Sequence, residues 1–310
     1  MYTHILLRLA IILTLSEHLL GNVFWMDRTG EFTNGDELRT PSVGQRTVQS
    51  LSKNDTQIEP RPIATGETTL TINNFIGDAF YIEDTMRQDG FNIQSILTEN
   101  ALQQSMAIGK EFETNAWSTL NAAQTPGAAN AVNGFAHRLA GQGIGGFFNR
   151  GEFIRMCLAF DKANVPLAGR ICIVDPVVAA TLTGLLHASA HVDSNMRTQG
   201  IFENGLTANH KFVMNYFGWD VFVSNLLPTI ASETVDNQTI TGGVANLFMN
   251  VSSDNTKPLT GAWRQHVETE SRREESQKRD YFFTSARYGL AHKRVETLGV
   301  VVTSATVTGL

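Results

Sequence analysis

Apolar positions between residues 91 and 123 recur close to every 3.6 residues, at Ile93, Ile96, Leu97, Leu102, Met106, Phe112, Ala116, Trp117 and Leu120. No proline interrupts them before Pro126, so the spacing predicts one long helix. Straight, it would span about 50 Å at 1.5 Å rise per residue. That is long for a compact enzyme domain and suits a rod bracing a flat subunit. The same period returns over residues 152–163 through Phe153, Met156, Cys157 and Phe160. Residues 167–175 form a short apolar run that reads as a strand and closes in Asp175-Pro176. An apolar helix is expected over 177–186, starting just after a proline, as helix N-termini favour. Residues 187–207 are polar and read as a loop. Two aromatic-rich strands follow within 211–228, separated by Gly218. Further strands are expected at 244–251, 259–267, 281–290 and 295–303, the last two split by the basic His292-Lys293-Arg294.

Other stretches lack such periods. Residues 35–72 are rich in Thr, Ser, Gly and Pro, and Pro41, Pro60, Pro62 and the Lys53-Asn54-Asp55 turn break up regular structure. A loop this long within a compact fold is usually disordered or functional. Residues 47–51 and 68–72 are expected as the two legs of a long hairpin that gains stability by lying on a neighbour. Residues 124–151 read as a Gly/Ala/Asn-rich connector. Residues 268–280 (ETESRREESQKRD) mix both signs of charge; helical spacing would allow i,i+4 pairs, and a solvated surface segment is the simpler reading. The opening apolar run, 5–15, looks superficially like a signal peptide. Arg8 interrupts it, no Lys or Arg precedes it, and Leu19-Leu20-Gly21 is a poor cleavage site. It is also shorter than the roughly 20 apolar residues of a membrane span. A packed or interface helix is the preferred reading of this segment.

Composition narrows the class. The 310 residues, 42% hydrophobic and 17% charged, suffice for a sizeable core and argue against wholesale disorder. The net charge of −6 disfavours a dedicated nucleic-acid binder, which would normally show a basic face. Cys157 and Cys172 match no CxxC pattern and read as buried free thiols, which favours assembly in a reducing compartment. The sequons at Asn54, Asn237 and Asn250 carry meaning only if the chain is secreted.

Signals for enzyme chemistry are weak. Gly141–Gly146 (GQGIGG) has G-x-G-x-x-G spacing, but AHRLA precedes it instead of a Val/Ile-rich strand, and Asp161, near the required distance, falls within an expected helix. A flexible glycine connector is preferred. Of eight histidines, only His187 and His191 stand at i,i+4, with Asp193 beyond; they lack the Glu of H-E-x-x-H and lie in a loop-like context. Asp175 is read as a helix cap in preference to a catalytic carboxylate. Trp219, Phe222 and Trp263 are read as core or sheet-face residues. No catalytic, cofactor-binding or metal-binding residue is assigned.

The strand closing in R-x-x-x-V-D-P (Arg170 to Pro176), followed by GW-x-V-x-x-SN-x-LP (Gly218 to Pro228), resembles the central part of tailed-phage major capsid proteins of the Hong Kong-97-like fold. GDELRTPSVGQRTVQ from Gly35 is similar to that family's N-terminal arm, and residues 75–117 to the acidic-turn approach to its spine helix. The resemblance implies an α+β subunit with an N-terminal arm (1–46), an extended β-hairpin loop (47–76), a long spine helix with the first part of a peripheral domain (77–180), an inserted axial domain (181–270) and peripheral return strands (271–310). It implies a structural protein without enzymatic activity or cofactor, whose copies form pentamers and hexamers of an icosahedral shell around packaged double-stranded DNA. Implied partners are portal and scaffolding proteins, a decoration protein as a further option, and DNA without sequence-specific contact; no membrane is involved. The implied place is the virion, after assembly in the host cytoplasm. Two other readings stay open on sequence: a secreted or periplasmic α/β binding or hydrolytic protein, and a non-viral encapsulating shell protein of the same fold.

Overall fold

The computed structural model describes residues 24–32, 35–43, 53, 60, 62, 65–89, 93–124, 131–188, 212–216 and 218–305. In chain order the strands and helices are β1 (Trp25–Asp27), β2 (Glu37–Val43), β3 (Thr65–Thr71), β4 (Asn74–Glu83), α1 (Asp84–Asp89), α2 (Ile93–Ala123), β5 (Ala131–Val132), β6 (Phe135–Ala136), β7 (Arg138–Ala140), α3 (Arg150–Lys162), β8 (Arg170–Val174), α4 (Pro176–Ala188), β9 (Phe212–Tyr216), β10 (Trp219–Val223), β11 (Thr229–Val235), β12 (Gln238–Asn250), β13 (Leu259–Glu274), β14 (Arg279–His292) and β15 (Leu298–Ser304). The opening segment 1–23, with its apolar run, lies outside the described residues.

Two sheets organise the chain. A four-stranded sheet has the order β1-β13-β14-β4, and a seven-stranded sheet the order β7-β15-β12-β8-β10-β9 with β11 added to β12. Pairings β7–β15, β8–β10 and β1–β13 are parallel; the others are antiparallel. Separate ribbons are formed by β2–β3 and β5–β6.

The periodic face of α2 joins the two sheets. Ala101, Ile108, Phe112, Ala116, Trp117 and Leu120 are buried in one apolar cluster with Trp263, Tyr288 and Leu290 of the four-stranded sheet and Ile173, Leu247 and Val300 of the seven-stranded one. Phe112 is the hub: its ring stacks on Trp263 at 4.9 Å and meets Tyr288 edge-on at 4.9 Å and Trp25 at 5.5 Å.

On the other face of the seven-stranded sheet, Phe153, Met156 and Phe160 of α3 and Val178 and Leu182 of α4 cover Cys172, Val174, Trp219, Val221, Phe248 and Val301. Strand β8 is therefore buried on both faces, Ile171 and Ile173 toward α2 and Cys172 and Val174 toward α3 and α4. That is why its sequence runs apolar without alternation. The helix starts are capped: the Glu152 carboxylate accepts the Asn149 N–H at 2.8 Å, and Asp175 accepts the Val177 N–H at 2.9 Å.

Several expectations need correction. The partner of β3 is β2, not residues 47–51, which lie outside the described residues. Residues 268–280 are mostly exposed, as a solvated segment should be, and they form the distal parts of β13 and β14 and the turn between them instead of a helix. The connector 124–151 contains β5, β6 and β7, and β11, unforeseen, forms a hairpin with β12 through Asp236 and Asn237, both at positive φ (52° and 61°). Cys172 is buried, while Cys157 is only half-buried, its Sγ accepting the indole N–H of Trp219 at 2.9 Å. Burial pushes both thiols above their ordinary pKa. Strands β8 and β15 both pair with β12, and β13 with β14, so boundaries at 180/181 and 270/271 do not follow the sheets.

Candidate assembly surfaces

The β2–β3 ribbon is attached to the body at its root. Leu70 and Ile72 are buried against Ala262, with Phe32, Leu38 and Ala291 around them. The Ile72 N–H donates to Asp36 O at 2.9 Å, Arg287 pairs with Asp36 at 3.2 Å, and Arg28 donates to Thr40. Gly289 admits this seat, because a Cβ there would stand 2.3 Å from Thr71 O. The ribbon's other face holds Glu37, Arg39, Glu67 and Thr69, all exposed, with Arg39 between the two carboxylates at 3.4 and 3.8 Å. As a two-stranded sheet it hydrogen-bonds to no third strand among the described residues. Such a ribbon is marginally stable alone in water.

The second projection is the distal end of β13–β14, flanked by β4 and α1. Arg273 forks onto Asp84 at 2.7 and 2.5 Å and reaches Asp280 at 2.9 Å; Arg87 also binds Asp280, at 3.0 Å. The Arg273 guanidinium holds the Asp84 carboxyl below its usual pKa. Arg279 pairs with Glu83 at 2.6 Å and lies 4.6 Å from the centre of the Tyr81 ring. Exposed pairs of this kind contribute little stability individually. Together they fix the direction of the tip and align α1 with it. The register Tyr81↔Tyr281, Ala79↔Phe283 and Phe75↔Arg287 puts Phe75, Tyr81 and Phe283 on one sheet face, where they are 69%, 51% and 42% exposed.

A third group ties the seven-stranded sheet to the end of α2. Arg138, nearly fully buried, binds Glu233 of β11 through two nitrogens at 2.5 Å each, and donates to Gln124 O at 2.7 Å and Asn121 Oδ1 at 3.0 Å at the end of α2.

Residues weighed for enzyme chemistry stand elsewhere. The glycine loop does follow a strand, β7, and precedes α3. Its amides are already engaged: Gly141 to Val302 O at 2.8 Å, Gly143 to Phe147 O at 3.0 Å, Gly146 to Gly143 O at 2.9 Å, and Gln142 to the Glu152 carboxylate at 2.5 Å. Three of these amides thus meet backbone carbonyls, and the one anion among the acceptors, the Glu152 carboxylate, is the protein's own. Asp161 is held by Arg170 at 2.6 Å, and Asp175 is the cap of α4. His187 falls in α4 without a described side chain, and His191 and Asp193 lie outside the described residues. Trp219 and Trp263 are buried and Phe222 is partly buried against the core. Glu152 and Arg138 escaped the sequence reading, although Asn149 followed three residues later by Glu152 is a capping-box signal.

A mixed subunit with one long bracing helix, two sheets sharing a core on it, and two projecting hairpins has the architecture of a shell-building protein. Over residues 66–303 the sequence matches the family described as phage capsid protein. The chain belongs to that family: it is a structural protein of the phage capsid, with the Hong Kong-97-like α+β fold. No curated protein sequence matches it significantly. Among solved structures, a chain from Mycobacterium phage Che8 is 16% identical with a TM-score of 0.63, over 91% of this chain and 90% of that one. A chain of the cyanophage Pam1 capsid is 11% identical with a TM-score of 0.65, over 91% and 88%. A chain of a virus-like particle from Pyrococcus furiosus is 13% identical with a TM-score of 0.51, over 96% and 97%.

Proposed function

We propose that this subunit is a major capsid protein whose pentamers and hexamers close an icosahedral shell around packaged double-stranded DNA. The observation that carries the reading is the β2–β3 ribbon, seated at its root and polar and exposed on its other face. A ribbon built that way gains its remaining stability from a second body, and in a shell that body is an adjacent subunit. Each subunit makes several such contacts at once, so each can be modest. Heterologous contacts whose rotations close produce a finite shell.

In this reading β4, β13 and β14 of the four-stranded sheet, with α2, form the peripheral domain with its spine helix, and β1 is the place where the arm joins that sheet. The seven-stranded sheet with α3 and α4 forms the axial domain, residues 1–46 the arm, and the chain joining β2 to β3 the extended loop. The subunit acts structurally, without catalytic chemistry. Its further partners are portal and scaffolding proteins and DNA held without sequence readout, and it assembles in the host cytoplasm. The family match favours a virus shell over a cargo-enclosing shell of the same fold.

Deleting residues 52–62 tests the ribbon's role. The expected outcome is a folded subunit, by circular dichroism and a cooperative melt, that makes no closed particles. Shells of normal size and yield from the deletion would refute the proposed role of the ribbon.

A further inference from the structure

His137 occupies an unusual place: it is fully buried between β6 and β7, where the end of α2 meets the start of β15. Its Nδ1 lies 3.1 Å from Leu298 O. A carbonyl oxygen only accepts, so Nδ1 carries the proton and Nε2 bears a bare lone pair. Nε2 is buried without a hydrogen-bond partner among the described residues. The ring stacks on Phe160 of α3 at 5.5 Å. The same Leu298 oxygen accepts from Gln124 Nε2 at 2.8 Å, and that amide also donates to Val295 O at 2.9 Å. The Val300 N–H donates to His137 O at 2.8 Å. Side chains from the end of α2 and from the head of β7 therefore clasp one turn of backbone, and that turn leads into a central strand of the seven-stranded sheet.

We propose that His137 makes this joint an acid-released latch, closed while the imidazole is neutral and opened when the ring takes up a second proton. The charged surroundings decide the direction. From the segment ahead of β15, Glu296 acts on the ring and favours its charge. Next to it on β7, Arg138 directs its guanidinium to Glu233 and the end of α2. On α3, Asp161 and Lys162 follow Phe160, with Asp161 held by Arg170 of β8, whose guanidinium lies 5.6 Å from the Phe160 ring. The end of α2 presents neutral Asn121 and Gln124. Burial outweighs Glu296, so the folded ring is harder to protonate than an ordinary histidine.

A proton on Nε2 would create a buried donor with no acceptor, beside a ring already committed on its other nitrogen. The sign follows by linkage. The opened joint binds a proton near the ordinary histidine value of about 6.5, and the closed joint binds it only at lower pH. Stability of the joint is therefore full above that value and declines as pH falls below it. Because α2 shares its core with the four-stranded sheet, releasing its end changes how the two sheets are held together.

Hydrogen exchange of the full chain, corrected for intrinsic rates, tests this on peptides covering 119–124 and 295–300. In the native protein, protection there should fall about fivefold between pH 6.5 and pH 5.5, the limit for one imidazole that titrates near 6.5 when the joint is open. In His137→Phe, which keeps the stacking and cannot titrate, protection should not change over that interval. An unchanged profile in the native protein, or an equal fall in the variant, would overturn the latch. Should the variant not fold, an NMR titration of the His137 ring in the native chain decides alone: a neutral Nδ1–H ring at pH 6 supports the proposal, and a charged ring there refutes it.

Discussion

Arg138 and Glu233 face each other as a two-pronged ion pair, Nε to Oε1 and Nη2 to Oε2 both at 2.5 Å, with side chains 4% and 11% exposed. The remaining guanidinium nitrogen donates to Gln124 O, a backbone carbonyl just past the helix end, and to the side-chain Oδ1 of Asn121. One side chain thus joins α2, β7 and β11. Removing one partner of a buried pair leaves the other charge desolvated, at a cost of about 3–5 kcal/mol. Arg138→Met should lower the urea midpoint of the unassembled subunit accordingly. Replacing both residues by apolar ones should restore much of the loss, and a single variant as stable as the parent would show the pair to be incidental.

Phe112 contacts Trp25, Trp263 and Tyr288 and is fully buried. Phe112→Ala should cost about 3–5 kcal/mol, the range for truncating a buried aromatic. Chemical denaturation measures it. A loss under about 1 kcal/mol would mean that the two sheets do not depend on this hub.

At Gly289 the expected effect is local. A Cβ there meets Thr71 O at 2.3 Å and the Thr71 carbonyl carbon at 2.9 Å, so Gly289→Ala has to displace the root of the β2–β3 ribbon. Limited proteolysis should cut the variant faster between residues 36 and 72 while the melt of the body changes little. Unchanged proteolysis would mean that the seat is not close-packed.

The Glu152 carboxylate accepts two backbone amides, yet burial still pushes its pKa above the ordinary carboxylate value. The folded state then binds this proton more readily than the unfolded chain, so the group's contribution to stability falls as pH rises through the raised value. The stability of the native protein relative to Glu152→Gln should accordingly decline from pH 4 toward neutrality. A difference independent of pH would contradict that assignment.

What the sequence disclosed divides along physical lines. The helix α2 was legible because its buried face follows the helical period, and β8 because a strand covered on both sides runs apolar without alternation. The β9–β10 hairpin was marked by Gly218, at φ +80°. The distal part of β13 was not legible. Its side chains are mostly exposed, and charges such as Arg272, Arg273 and Glu274 conceal a strand whose stability comes from its partner. At β7 the polar Arg138, with His137 just before it, masked a wholly buried strand, since their acceptors sit on β15, β11 and the end of α2. The first leg of the ribbon was placed too late because pairing of Glu37 with Thr71 is a long-range choice that local pattern does not reveal. Buried polar joints were therefore the least visible part of the fold.

The central claim is that this chain builds a shell. The direct test is negative-stain microscopy with analytical sedimentation of the purified full chain, alone and co-expressed with a candidate scaffolding protein. The account predicts closed particles or capsomer rings of many subunits. A monomer or dimer under both conditions would contradict it.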